Sequence, residues 1–97
     1  MIATIVTFRH GPGTYDRLRL EAISHSTAPK YRGMAGLIAK TYWYDDERRE
    51  HGGFYLWETK AAAEAVHTAE HQARLEGLYG VRPEVRYVDA PIYIDNE

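Results

Sequence analysis

The chain has 97 residues, a formal net charge of −2 and no cysteine. That length holds one domain, residues 1–97, with a core large enough to fold unstapled, and the missing cysteine excludes a disulfide scaffold, a thiolate nucleophile and a zinc finger. Interspersed charges argue against nucleic-acid or membrane-surface binding, no apolar run approaches the ~20 residues of a membrane span, and the start MIATIVTFRHGPG lacks signal-peptide character, so a cytoplasmic protein is expected.

In chain order, Ile2 to Phe8 is a β-branched run that predicts a strand, ended by Gly11-Pro12-Gly13. Thr14 is placed to cap a helix whose inward residues would be Tyr15, Leu18, Ala22 and Ile23. That helix is expected to stop by Ala28, because the residue before Pro29 is pushed out of the helical region. A loop through Tyr31, Arg32 and Gly33 then leads to a strand over Leu37 to Tyr44, a charged hairpin tip over Asp45 to Glu50, and a return strand over Gly52 to Glu58. Strict alternation sets Leu37, Ala39 and Trp43 against Ile38, Tyr42 and Tyr44, and Phe54 and Leu56 against Tyr55 and Trp57. Both faces are apolar, which predicts a sheet covered on both sides. The chain has helix enough for one side, so a second copy of itself is expected on the other. Parity alone does not tell which pair, Tyr55 and Trp57 or Phe54 and Leu56, lies under the helices.

Thr59 is placed to cap an alanine-rich helical region that ends between Gly77 and Gly80. On a helical wheel Ala62, Ala65, Val66, Ala69 and Ala73 share one side, while His67, His71, Arg74, Leu75 and Leu78 share the other. One straight helix cannot bury both stripes on a single sheet, so a break is predicted near Thr68 that turns His71, Leu75 and Leu78 toward the sheet. Glu84 to Asp89 reads as the last strand. The apolar tail Pro91 to Ile94 is expected to pack on, or add a strand to, a neighbouring subunit; the alternative is that it covers its own sheet edge. The order βαββαβ predicts an α+β, ferredoxin-like protomer with helices on one face of a largely antiparallel sheet.

The stretch His67-Thr68-Ala69-Glu70-His71 matches the H-x-x-E-H zinc pattern, but a catalytic zinc also needs a third ligand from a distant segment, and no metal site is expected. His71 is the stronger candidate by itself: a histidine held beside leucines suits a general base or a hydrogen-bond partner for a phenol or enol. Arg74, one turn on, is placed to hold an anionic oxygen, unless it pairs with Glu70 or Glu76. His25 lies on the Leu18/Ala22 side of the first helix and could point inward, whereas His10 and His51 sit in glycine-flanked turns and are expected to be solvated. Eight Tyr, two Trp and two Phe concentrate on the central strands, enough to wall a flat cavity for a planar aromatic ligand or to build a subunit interface.

The blocks Gly36 to Tyr42, Gly52 to Glu58 and His71 to Leu75, with the spacing between them, resemble the YdhR-like monooxygenases of the dimeric α/β-barrel superfamily. The likeness covers about Gly36 to Ile94; the first strand and helix match in pattern only. It implies a ferredoxin-like protomer whose sheet pairs with that of a second copy, with a cavity between each protomer's sheet and its helices. Relatives of this kind include cofactor-free oxygenases of phenolic compounds, haem-degrading enzymes and non-oxidative cyclases, and His71 matches the second-helix histidine that several use. Tyr42 stands where a tryptophan is expected, with Trp43 beside it on the other face. The resemblance thus implies a homodimeric, cofactor-independent monooxygenase for a small aromatic substrate. Its catalytic pair would be His71 and Arg74, and its substrate-binding residues Trp57, Tyr55, Tyr42, Tyr31 and His25. A cyclase, isomerase or lyase on the same scaffold, a haem-degrading enzyme in which His71 is an axial ligand, and a non-catalytic ligand-binding dimer are the alternatives.

Overall fold

The computed structural model describes residues 1–96. Seven elements succeed one another: β1 (Ile2–Arg9), α1 (Arg17–Tyr31), β2 (Leu37–Asp45), β3 (Glu50–Trp57), α2 (Lys60–Val66), α3 (Ala69–Tyr79) and β4 (Glu84–Asp89). The strands form one antiparallel sheet in the order β2-β3-β1-β4. Side chains of all three helices share a core with one of its faces, the ferredoxin-like α+β arrangement that the element order predicts. Among the described residues, no helix is long and apolar enough to cross a membrane.

Parity in β3 resolves the open choice between its two faces. Tyr55 and Trp57 join Val6 and Phe8 of β1 in the core under the helices, while Phe54 points to the open face and is 40% exposed. Trp57 is fully buried and donates its indole N–H to Thr4 Oγ1 at 2.9 Å, which locks β1 and β3 face to face on this side. The strict alternation expected for β2 fails at one point. A bulge between Leu37 and Ala39 inserts Ile38, so Leu37 opposite Trp57 shares the helix face with Lys40, Tyr42 and Tyr44.

The first helix differs from expectation at both ends. Asp16, not Thr14, is the N-cap, its carboxylate accepting from the Arg19 amide. The helix also runs through Pro29 to Tyr31. Pro29 removes one donor near the last turn, and the carbonyl it leaves free is that of His25, an exposed residue where water can replace the bond. The fully buried stripe is Leu20, Ser24 and Tyr31; Tyr15 and Ile23 pack against the core as expected, whereas Ala22 and Leu18 are exposed, Leu18 by 81%. Of those three buried residues Ser24 is polar and Tyr31 carries a hydroxyl, which hides the stripe from hydropathy.

The break at Thr68 is present. Thr59 caps α2 and Thr68 caps α3, accepting from the Ala62 and His71 amides respectively. Restarting the helix brings His71, Leu75 and Tyr79 onto one buried stripe, and leaves Leu78 at the surface rather than on the sheet. The tail Pro91 to Ile94 does not cover its own sheet edge, since Ile92 and Ile94 stand 84% and 75% exposed.

His10 and His51 are buried, contrary to the solvated turns expected of them. His51 belongs to β3, where it stacks on Phe8 at 4.5 Å and on His10 at 4.8 Å, and its Nε2 has no partner. Burial, with the nearby charges of His10 and Arg19, lowers its pKa to about 3. An unfolded histidine accepts its proton near 6.5, so acidification below that value favours the unfolded chain. His51→Phe should keep the stack and remove this liability. Relative to the parent it should gain about 2 kcal/mol between about pH 6.5 and 5, read from urea denaturation at each pH.

Gly52 supplies a close approach: a Cβ there would lie 1.7 Å from the Val6 carbonyl oxygen and 2.9 Å from the Trp43 ring. Gly52→Ala should therefore force β1 and β3 apart and cost about 3 kcal/mol or more in the same measurement.

Candidate active site

A groove of about 760 Å³ lies between α1 and the edge strand β2. Its volume falls within the roughly 300–1,000 Å³ common for small-molecule sites. Ser24, His25, Ala28 and Tyr31 of α1 form one wall, and Leu37, Lys40, Tyr42 and Tyr44 of β2 the other. A second cleft continues beneath the helices toward Tyr55, His51 and Tyr79, and with about 10 Å³ it is close to filled. Tyr31, Lys40 and Tyr42 line both, so they stand at the junction between groove and interior.

Hydroxyl chains run inward from this junction. Tyr55 and Tyr31 meet edge to face with ring centroids 5.8 Å apart, and the Tyr31 hydroxyl lies 3.2 Å from His71 Nε2, to which it can donate. Burial lowers the His71 pKa to about 4, helped by the charges of Lys30, Arg74 and Lys40, so its imidazole is neutral at pH 7 and able to accept. Burial also raises both phenols above the ordinary tyrosine value, so they remain protonated. A second chain starts at Trp57. Its indole can only donate, which leaves the Thr4 hydroxyl proton for His67 Nε2 at 2.8 Å. Burial, then the charge of His71, lowers the His67 pKa to about 4. On the groove side, Tyr44 donates to Ser24 Oγ at 2.7 Å, Ser24 Oγ meets the Tyr79 hydroxyl at 3.0 Å, and Tyr42 meets Thr27 at 2.8 Å.

Of the residues singled out from sequence, Tyr31, Tyr42, Tyr55 and His71 converge here. Trp57 lies deeper, stacked on Tyr55 with ring centroids 5.7 Å apart. His25 is exposed on the groove wall. Arg74 is exposed on α3 outside the groove lining, and it reaches His71 and Tyr31 only through its charge. Among the described residues it forms no ion pair; Glu76 holds Arg82 instead, at 3.3 Å. The two histidines of the H-x-x-E-H pattern point their Nε2 atoms at Thr4 and Tyr31, and no group of three or more metal-ligating side chains is placed to hold an ion among the described residues.

Lys40 went unrecognised in the sequence. Its Nζ lies 3.3 Å from the Tyr31 ring centroid, 4.0 Å from that of Tyr42 and 4.5 Å from that of Tyr55. Burial, then the charge of Lys30, lowers its pKa to about 7, while the three ring faces favour the ammonium. The signal was available: Lys40 shares strand parity with Tyr42 and Tyr44, a lone cation on an aromatic face.

The fold aligns over most of its length with several solved proteins. A crystal structure described as a putative antibiotic biosynthesis monooxygenase from Deinococcus radiodurans has a TM-score of 0.72 and 12% identity, covering 100% of this chain and 99% of that one. SnoaB, a cofactor-independent oxygenase from Streptomyces nogalater, gives 0.67 and 14%, with 96% and 95% covered. The monooxygenase from the ActVA-Orf6 gene of Streptomyces coelicolor, solved with nanaomycin D, gives 0.66 and 20%, with 99% and 92% covered. At these identities the likeness is one of fold. No curated protein matches the chain. Residues 14–89 match the family described as "Putative mono-oxygenase ydhR", and with more than three quarters of its length inside that match, the chain belongs to this monooxygenase family.

Proposed function

We propose that the protein is an oxygenase that inserts one atom of O₂ into an electron-rich phenol bound in the α1/β2 groove, without a metal or bound organic cofactor. The observation that carries this reading is the Tyr31–His71 pair at the inner end of a tyrosine-walled groove. Independence from cofactors is carried over from SnoaB, whose description states it and whose fold this chain shares.

The proton path follows from the donor order. A substrate hydroxyl in the groove gives its proton to the Tyr31 oxygen while Tyr31 passes its own to His71 Nε2. The phenolate then donates an electron to O₂, and recombination forms a carbon–oxygen bond at an unsubstituted ring carbon. Loss of water gives the quinone: the ring C–H and O–H and one O₂ become two C=O groups and one H₂O. Protons held on His71 return to the departing oxygen.

Candidate phenols and hydroquinones are to be screened with an oxygen electrode and ¹⁸O₂. Consumption of one O₂ per turnover with one labelled atom in the product is expected. Turnover without O₂ uptake would assign a cyclase, isomerase or lyase instead. Tyr31→Phe and His71→Ala should each lower kcat/KM by about 100-fold, and the double variant hardly further, because the two residues move one proton.

The working form in this reading is a homodimer paired through the open sheet face. Support comes from Phe54, 40% exposed there, and from the unpacked apolar tail. Deleting residues from Pro91 onward should move the sedimentation profile at micromolar concentration toward the monomer; an unchanged profile would reject a role for the tail in pairing.

A further inference from the structure

Lys40 presents a half-buried cation with no anion to match it. Its Nζ is enclosed by the faces of Tyr31, Tyr42 and Tyr55, and its stem passes Gly53, where a Cβ would lie 3.4 Å from Lys40 Cε. None of the ion pairs among the described residues involves it. The one carboxylate lining the groove, Glu21, is held by Arg17 at 3.0 Å. Lys30 adds a second ammonium, 5.7 Å from the Tyr31 ring centroid, also without a carboxylate partner. Ring quadrupoles favour a cation but supply no counter-charge and no lone pair for its N–H donors. A buried charge is ordinarily paired, and here the missing partner faces an open groove.

We propose that Lys40 is the anchor for an anionic oxygen on the ring system of the substrate, so that the compound taken into the groove is an aromatic anion, a carboxylate or an acidic phenolate, rather than a neutral arene. This rests on the groove being the substrate site proposed above. The ammonium donates to the anionic oxygen while the planar ring lies along Tyr42 and Tyr44. The substrate hydroxyl is thereby carried to Tyr31, which shares the cage with Lys40. Lys40 acts in this role as its ammonium, the form it holds below about pH 7 and that an adjacent anion favours.

The test is equilibrium binding under argon at about pH 6, below the Lys40 pKa of about 7 so that the amine carries its proton, followed by quenching of intrinsic fluorescence, so that it does not depend on turnover. Two matched pairs identify the source of the anion: 2-naphthoate against 2-naphthamide reports a carboxylate anchor, and 2,4-dinitrophenolate, which stays ionised in mildly acidic solution, against 2,4-dinitroanisole a phenolate anchor. In at least one pair the anion should bind roughly tenfold or more tighter, and Lys40→Met should abolish the difference while Lys40→Arg retains part of it. Equal binding within both pairs, no binding of either anion at millimolar concentration, or a preference that survives in Lys40→Met would overturn the inference. Stability of the ligand-free variant separates ligand binding from a structural role. Removing an unpaired half-buried charge should leave Lys40→Met at least as resistant to urea as the parent. A less stable variant would make the ammonium a structural plug of the cage and would also overturn it. Anion preference without any O₂ consumption would reject the oxygenase reading and leave the anchor standing.

Discussion

Trp57 and Thr4 meet beneath the helices, and the site depends on that contact. An indole N–H buried away from water needs an acceptor, and Thr4 Oγ1, diagonally across on the neighbouring strand, supplies it. Because side chains alternate across a strand, fixing Trp57 inward also fixes Tyr55, Gly53 and His51 inward. The pairing of β3 with β2 then carries the same face to Lys40, Tyr42 and Tyr44, once the bulge at Ile38 has reset the parity. A slip of one residue would place the tyrosines on the open face and Phe54 and Leu56 under α1. The tyrosine-walled groove and the Tyr31–His71 pair would vanish together.

The interior so formed is polar for a domain of this size, and its charge state follows from burial. Its hydroxyls find partners in Ser24, Thr27, Tyr31 and Thr4, whereas the buried side-chain atoms left without a partner are imidazole nitrogens of His10, His51, His67 and His71. Each of these four rings has its pKa lowered, burial being the largest cause every time. Neutral rings can stack on aromatic neighbours without the cost of an unpaired imidazolium, and His51 does so against Phe8. The same neutrality gives His71 a lone pair for Tyr31. Structural and chemical roles of histidine thus coincide in one cluster, and Tyr31 extends it to the groove.

Much of this arrangement was legible in the residues. The element order, the helix break at Thr68 and the Thr59 cap follow from local rules of spacing and capping that tertiary packing does not override. Leu18 and Leu78 were misplaced for one reason: hydropathy ranks leucine above serine, threonine and histidine, whereas the sheet beneath offers hydroxyls and imidazoles that prefer polar partners. Ser24 is buried because Tyr44 and Tyr79 both reach it, a pairing between distant segments that no local pattern announces. The Ile38 bulge and the passage of α1 through Pro29 depend on strand register and on solvent access to one carbonyl, and both are set only by the folded whole. His10 and His51 looked like turn residues because glycines flank them, yet Gly52 is there to let Val6 and Trp43 come close.

The family shares its fold with enzymes of several descriptions, so what separates this chain from its relatives must lie in side chains at the groove. Two such features stand out in this groove. The Tyr42 hydroxyl on the wall is held by Thr27, and the face of its ring takes the Lys40 ammonium at 4.0 Å. Each ring face contributes only about 0.5–1 kcal/mol to an ammonium at a partly exposed site, and the desolvation that drives the Lys40 pKa downward works against all three. The free protein therefore carries an electrostatic deficit at the point where groove and interior meet. An anionic ligand relieves that deficit, and a neutral one of the same shape does not. Affinity and orientation would then come from a single group, which leaves the tyrosine walls to select for flatness and the Tyr31–His71 pair to move the proton.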